Sequence, residues 1–142
     1  MFIHQPSGLF LFVLPLLLAG CNRPFVGDWT GYLGFDRGGA LTFDLQIEPG
    51  LRTVGGTGIV ECQGVAAEGV VEVPLHDVVG ALGVYLYGID PDVDWYLHLR
   101  GDPEDGVWEG EGSFSWSPEA DFVGEAFPSD CTGGGEFAAA RD

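Results

Sequence analysis

Lysine is absent from this 142-residue chain, and arginine occurs only five times against 22 aspartates and glutamates. The net charge of −17 excludes a nucleic-acid binder, because such binding rests on cationic contacts to phosphate. It also sets the chain against anionic lipid headgroups, and a solvated, salt-tolerant surface accounts for it more simply than an acidic docking patch. Histidine is scarce as well: beyond His4 there are only His76 and His98. No Ser, Cys or Thr has a histidine partner suggested by motif, and nothing selects one acid pair among the 22. No catalytic residue is assigned, no cofactor is implied, and no enzyme is expected. A long apolar run is also missing. Leu9 to Leu18 is the longest, short of the roughly 20 residues a spanning helix needs. The poverty in apolar residues that marks disorder is not found either, since 46% of the chain is apolar.

What the short run does make is an export signal. Leu9 to Leu18 reads LFLFVLPLLL, followed by Ala19 and Gly20, and an apolar core closed by small residues is the pattern of a cleaved secretory peptide. Cys21 follows at once. Leu18-Ala19-Gly20-Cys21 resembles the lipobox of bacterial lipoproteins, although the preceding Met1 to Gly8 contains no Lys or Arg. The resemblance implies cleavage before Cys21, diacylglycerol on its sulfur and usually palmitate or another acyl chain on the new amino terminus. Two or more acyl chains anchor a protein stably. Asn22 in place of Asp favours, by the same resemblance, the outer membrane of a host that has one.

With Cys21 consumed by lipid, Cys62 and Cys131 remain, in an exported chain where disulfides persist, and a Cys62–Cys131 bridge is expected. The layout is then a signal peptide over residues 1–20, a lipidated tether over 21–24 and one domain over 25–142. The tether is short, so the domain sits close to the bilayer.

Within that domain apolar and polar residues alternate. Ala40 to Ile47 places Leu41, Phe43, Leu45 and Ile47 on one face and Ala40, Thr42, Asp44 and Gln46 on the other. Further strands read at about 26–35, 53–62, 65–73, 78–89, 95–100, 107–117 and 135–141, with turn signals at Arg37-Gly38-Gly39, Pro49-Gly50, Gln63-Gly64, Pro91 to Asp94 and Asp102 to Gly106. The fold class expected is all-β: a small eight-stranded antiparallel up-and-down β-barrel, with a β-sandwich as the alternative.

Two segments match at identical spacing. Gly27-Asp28-Trp29-Thr30-Gly31 leads to Phe35, and Gly106-Val107-Trp108-Glu109-Gly110 leads to Phe114. In strands these patterns put Trp29, Gly31, Leu33 and Phe35 on one face, and Trp108, Gly110, Gly112, Phe114 and Trp116 on another. The first copy resembles the Gly-x-Trp that opens lipocalins and the related avidin-like barrels. The resemblance implies an eight-stranded meander barrel and, more weakly, a ligand. Trp29, Phe35, Phe43, Trp108, Phe114 and Trp116, with Trp95, therefore read either as a filled core or as the lining of a cup for a small apolar molecule.

Asp90, Asp92 and Asp94 alternate like the start of a calcium loop, but Trp95 and Gly101 stand where such a loop needs Gly and Glu. No metal is expected: the acids read as a solvated rim, with a weak oxygen-only cation site of Asp90, Asp92 and Asp94 joined by Asp102, Glu104 and Asp105 as the lesser alternative. The function expected is a membrane-anchored envelope lipoprotein without catalysis that binds a small apolar or lipid-derived ligand in the barrel. The alternatives are a structural or protein-interaction module of the envelope with a filled core, and a sandwich that binds glycan through Tyr85, Tyr87 and Tyr96.

Overall fold

Eight strands follow one another around a closed wall, each hydrogen-bonded to its sequence neighbours, and the last pairs with the first. A computed structural model of the chain describes residues 23–50, 54–73, 83–89 and 92–142. The strands are β1 (Gly27–Phe35), β2 (Ala40–Pro49), β3 (Val54–Cys62), β4 (Val65–Val73), β5 (Gly83–Gly88), β6 (Val93–Arg100), β7 (Val107–Pro118) and β8 (Gly133–Arg141). All pairs are antiparallel. Closure settles the architecture in favour of the up-and-down barrel and against the sandwich. Alternation tracks burial closely: β2 reads exposed-buried from Ala40 to Ile47, as its sequence predicts. The boundaries shift slightly. β6 and β8 begin at Val93 and Gly133, two residues before the expected starts, and β2 runs to Pro49, which pairs with Val54. The expected start of the fifth strand, at 78–82, lies outside the described residues.

The stagger of the wall follows from the registers. A line across the strands from Gly27 passes Ile47, Gly56, Val71, Leu86, Leu97, Phe114 and Gly133. Continuing the β8–β1 register returns it to the level of Arg37, ten residues from its start. With eight strands, that stagger and the usual strand spacings give a tilt of about 40° and a wall radius of about 8 Å. Such a tube is just wide enough for side chains or for one small ligand.

Two hairpins show the local chemistry. Gln63 and Gly64 both adopt positive φ between β3 and β4, as do Asp105 and Gly106 before β7. Two positive φ values in succession make the turn whose twist matches flanking strands, and Gly accepts the second at no steric cost. Glu104 and Val107 exchange both backbone hydrogen bonds across the Asp105-Gly106 turn.

Inside is apolar and outside is acidic. Leu33, Leu41, Leu45, Ile47, Val60, Leu86, Leu97 and Leu99 are buried, while Asp44, Glu61, Glu68, Glu72, Asp94, Glu109, Glu111 and Glu136 face outward. A membrane-spanning barrel carries the inverse pattern. The disulfide Cys62–Cys131 joins the end of β3 to the β7–β8 connection across 69 residues.

Candidate functional site

The aromatic side chains singled out by the sequence lie in the interior, and they pack on one another. Trp29, Phe43, Trp108 and Phe114 are at most 1% exposed, and Phe35 is buried. At the end of the barrel that Phe25 closes, Trp108 packs against three rings at steep angles: Phe25 at 5.5 Å, Trp29 at 5.5 Å and Phe137 at 5.2 Å between centroids. Their polar edges are satisfied, since the Trp29 Nε1 donates to the Phe25 carbonyl and the Trp108 Nε1 donates to the Gly101 carbonyl, both at 2.9 Å. Phe25 comes from the 3-10 turn Arg23–Phe25 and is fully buried. At the far end Phe127, from the β7–β8 connection, packs on Phe114, Trp116 and Trp95. Trp116 is half-buried and donates to the Cys131 carbonyl at 2.9 Å, which ties the rim to the disulfide. Among the described residues these rings pack on one another, with an aromatic layer at each end.

Glycines make the packing fit. A Cβ on Gly31 would come within 2.7 Å of both the Ala139 methyl and the Phe43 ring. One on Gly69 would come within 2.7 Å of the Trp95 ring, and Gly88 lies against the other edge of the same indole. The Trp95 Nε1 sits on Gly88, is buried, and has no acceptor among the described residues.

The other expected site residues are dispersed. Cys21 and Asp90 lie outside the described residues, and so does His76. Asp92 and Asp94 are at the far end, at the start of β6, whereas Asp102, Glu104 and Asp105 follow its other end. Eight residues of strand, about 25 Å, keep Asp92 and Asp94 apart from Asp102, Glu104 and Asp105, so the lesser alternative of a joint cation site does not form among them. No cluster of His, Cys, Asp and Glu among the described residues is placed to hold a metal ion.

What the structure does gather is on the outer wall of β3 to β7. Tyr87 and Tyr96 lie opposite each other in register, with Ser115 next in the same row. Tyr85 pairs with His98 one pleat along, their rings 4.5 Å apart and nearly parallel. Tyr85, Tyr87 and Tyr96 close a triangle of ring contacts at 5.5, 5.6 and 6.3 Å. Burial pushes the Tyr96 hydroxyl up to about 12, helped by the neighbouring Tyr85 and Tyr87 hydroxyls. Tyr87 is raised too, first by burial and then by the Glu72 carboxylate and Tyr85. Both hydroxyls are therefore neutral donors at any physiological pH. Beside them a shallow cleft of about 420 Å³ is lined by Tyr87, Gly88, Asp94, Trp95, Tyr96, Ser115, Trp116 and Ser117. A second groove, about 270 Å³, adjoins across β3 and β4, where Ile59, Val70 and Ile89 are exposed beside Asp44 and Glu68.

Alternation gave the sequence reading the outward direction of His98 and Tyr96. It gave no sign that the β4–β5–β6 registers would bring Val70, Tyr87 and Tyr96 side by side. Phe127 was missed as well: no periodic pattern surrounds it, and only the disulfide beside it signals that its loop folds back. No protein family, curated protein or solved structure matches this chain.

Proposed function

We propose that the protein is a lipid-anchored component of a bacterial cell envelope, held through Cys21, that binds without catalysis through the outer wall of its barrel. The anchor rests on Leu18-Ala19-Gly20-Cys21 behind its apolar run. Phe25, four residues on, is already a buried part of the floor, so the reading keeps the barrel against the bilayer with its plugged end nearest the lipid. One observation carries the outer-wall reading. The interior rings are in contact with one another, whereas four of the seven exposed large apolar side chains among the described residues, Tyr87, Val70, Ile59 and Ile89, lie together on one side of the wall. Apolar side chains exposed together, rather than singly, are a recognised mark of binding surfaces.

Metabolic labelling with a fatty acid tests the anchor. Label is expected on the wild type and lost in Cys21→Ser; label that persists overturns it. Titration with a fluorescent fatty acid tests the wall against the lumen. No saturable change in tryptophan emission is expected, and a saturable change abolished by Trp108→Phe would move the ligand into the barrel.

A further inference from the structure

We propose that the cleft formed by Tyr87, Tyr96, Asp94, Ser115 and Ser117 binds an uncharged oligosaccharide, an inference that rests on the outer-wall reading. Tyr87, Tyr96 and Ser115 form a row across three strands, about 10 Å long at the usual strand spacing. Asp94 and Ser117 form a second, parallel row one pleat away, about 7 Å along the strands. An aromatic row therefore runs beside a polar row, and the cleft lies between and over them.

Each row meets one half of a sugar. A pyranose has a face of C–H groups, apolar and slightly positive, that suits the negative face of an aromatic ring. Its rim is a ring of hydroxyls, each both donor and acceptor. The Asp94 carboxylate accepts from two such hydroxyls, and the Ser115, Ser117, Tyr87 and Tyr96 hydroxyls donate or accept as needed. All three short polar side chains are exposed and reach the cleft without a backbone change. Tyr85 and His98 back the pair, which fixes the Tyr96 ring without closing the cleft.

The same residues discriminate. A peptide partner would need deep pockets for its anchoring side chains, and this cleft is broad and shallow. Acidic sugars are disfavoured by Asp94 itself, by Glu72 beside Tyr87 and by the net charge of −17. An uncharged chain of hexoses or N-acetylhexosamines fits what remains.

The full chain in detergent should be titrated with three probes: a β-1,4-linked N-acetylglucosamine hexamer, a β-1,4-linked glucose hexamer and an oligogalacturonate. Saturable binding of at least one neutral hexamer is expected, with Kd on the order of micromolar to millimolar, and none of the acidic probe. Tyr96→Ala or Tyr87→Ala should weaken it at least tenfold, and Asp94→Asn several-fold. Ser115→Trp fills the cleft from the surface and should abolish binding while the core stays intact, which covers the case of a misfolded tyrosine variant. Tyr32→Ser, exposed on β1 away from the cleft, should bind like the wild type. The proposal is overturned if neither neutral hexamer binds, if the acidic probe binds equally, or if Tyr87→Ala and Ser115→Trp bind unchanged. It is also overturned if the patch proves to join two copies, seen as a concentration-dependent dimer that Ser115→Trp dissociates. Fatty-acid binding lost in Trp108→Phe would instead remove the outer-wall reading; its absence alongside silent oligosaccharides removes only the sugar.

Discussion

Trp29 and Trp108, the tryptophans of the repeated Gly-x-Trp-x-Gly, meet edge to face inside the barrel with ring centroids 5.5 Å apart. They stand on β1 and β7, which are not neighbours, and both pair with β8. Ala139 of β8 lies opposite Gly31 on one side and opposite Trp108 on the other. The small side chain leaves the space the two indoles share. Truncating Trp108 to Ala should cost about 3–5 kcal/mol, the usual range for removing a buried tryptophan. Urea unfolding followed by circular dichroism measures it.

A sharper comparison separates two indoles by their N–H groups. Trp108 donates to Gly101, whereas Trp95 is buried against Gly88 without an acceptor among the described residues. A buried donor left unmet costs about 1–3 kcal/mol. Trp95→Phe is therefore expected to be milder than Trp108→Phe by at least about 1 kcal/mol. Equal losses in chemical denaturation would contradict the assignment.

Two glycines of β1 should respond oppositely to Ala. A methyl on Gly31 would collide with the Ala138 carbonyl, the Ala139 methyl and the Phe43 ring, while one on Gly34 finds its nearest neighbour at 3.8 Å. Neither glycine has a positive φ. Gly34→Ala is expected to stabilise by about 0.4–1 kcal/mol through loss of unfolded-chain freedom. Gly31→Ala is expected to lower the Tm sharply, since core overpacking costs about 1–3 kcal/mol.

Reduction of Cys62–Cys131 frees a loop closed over 69 residues. In the loop-entropy description that bridge is worth about 4 kcal/mol. The urea midpoint should fall accordingly in dithiothreitol, and the double variant Cys62→Ser/Cys131→Ser should match the reduced wild type. The loss should be felt most where Phe127 and the Trp116–Cys131 bond close the far end.

The tyrosine cluster gives an alkaline signature. Tyr96 is raised from 10.0 to about 12 in the folded chain, chiefly by burial, so the folded state holds this proton more tightly than the unfolded one. A group with a raised folded pKa has its full stabilising effect below the unfolded value and loses it as pH climbs through the folded one. Stability should therefore decline between about pH 10 and about pH 12, and the decline should be shallower in Tyr96→Phe. Ultraviolet titration of tyrosinate should show a latest step near pH 12 that this substitution removes, while the smaller delay of Tyr87 stays. A step near pH 12 that persists in the variant would assign the shift to another residue.

Much of this fold is legible from side-chain alternation alone. Leu41, Phe43, Leu45 and Ile47 occupy the inner face that their spacing predicts, and Tyr96, His98 and Arg100 point away from Trp95, Leu97 and Leu99. Alternation works because a strand has only two faces and water strongly favours one of them for each residue. The weak alternative of a joint cation site fails for the complementary reason: Asp92 and Asp94 are close in sequence to Asp102, Glu104 and Asp105, yet a strand between them carries them to opposite ends.

By itself, then, the sequence determined the strand faces, the turns, the acidic exterior, the candidate anchor at Cys21 and, through its resemblance to a lipobox, the expected pairing of Cys62 with Cys131. Each is a local property, set by periodicity, by turn chemistry or by a count of charges. Only the tertiary structure decided that the wall closes, that Phe25 and Phe127 fill its ends, and that Tyr87, Tyr96 and Ser115 align across three strands. These depend on register and stagger, where sliding one strand by two residues keeps every face unchanged but moves every neighbour. Alternation is blind to such a slip; the ring packing of Trp29, Trp108 and Phe137 is not.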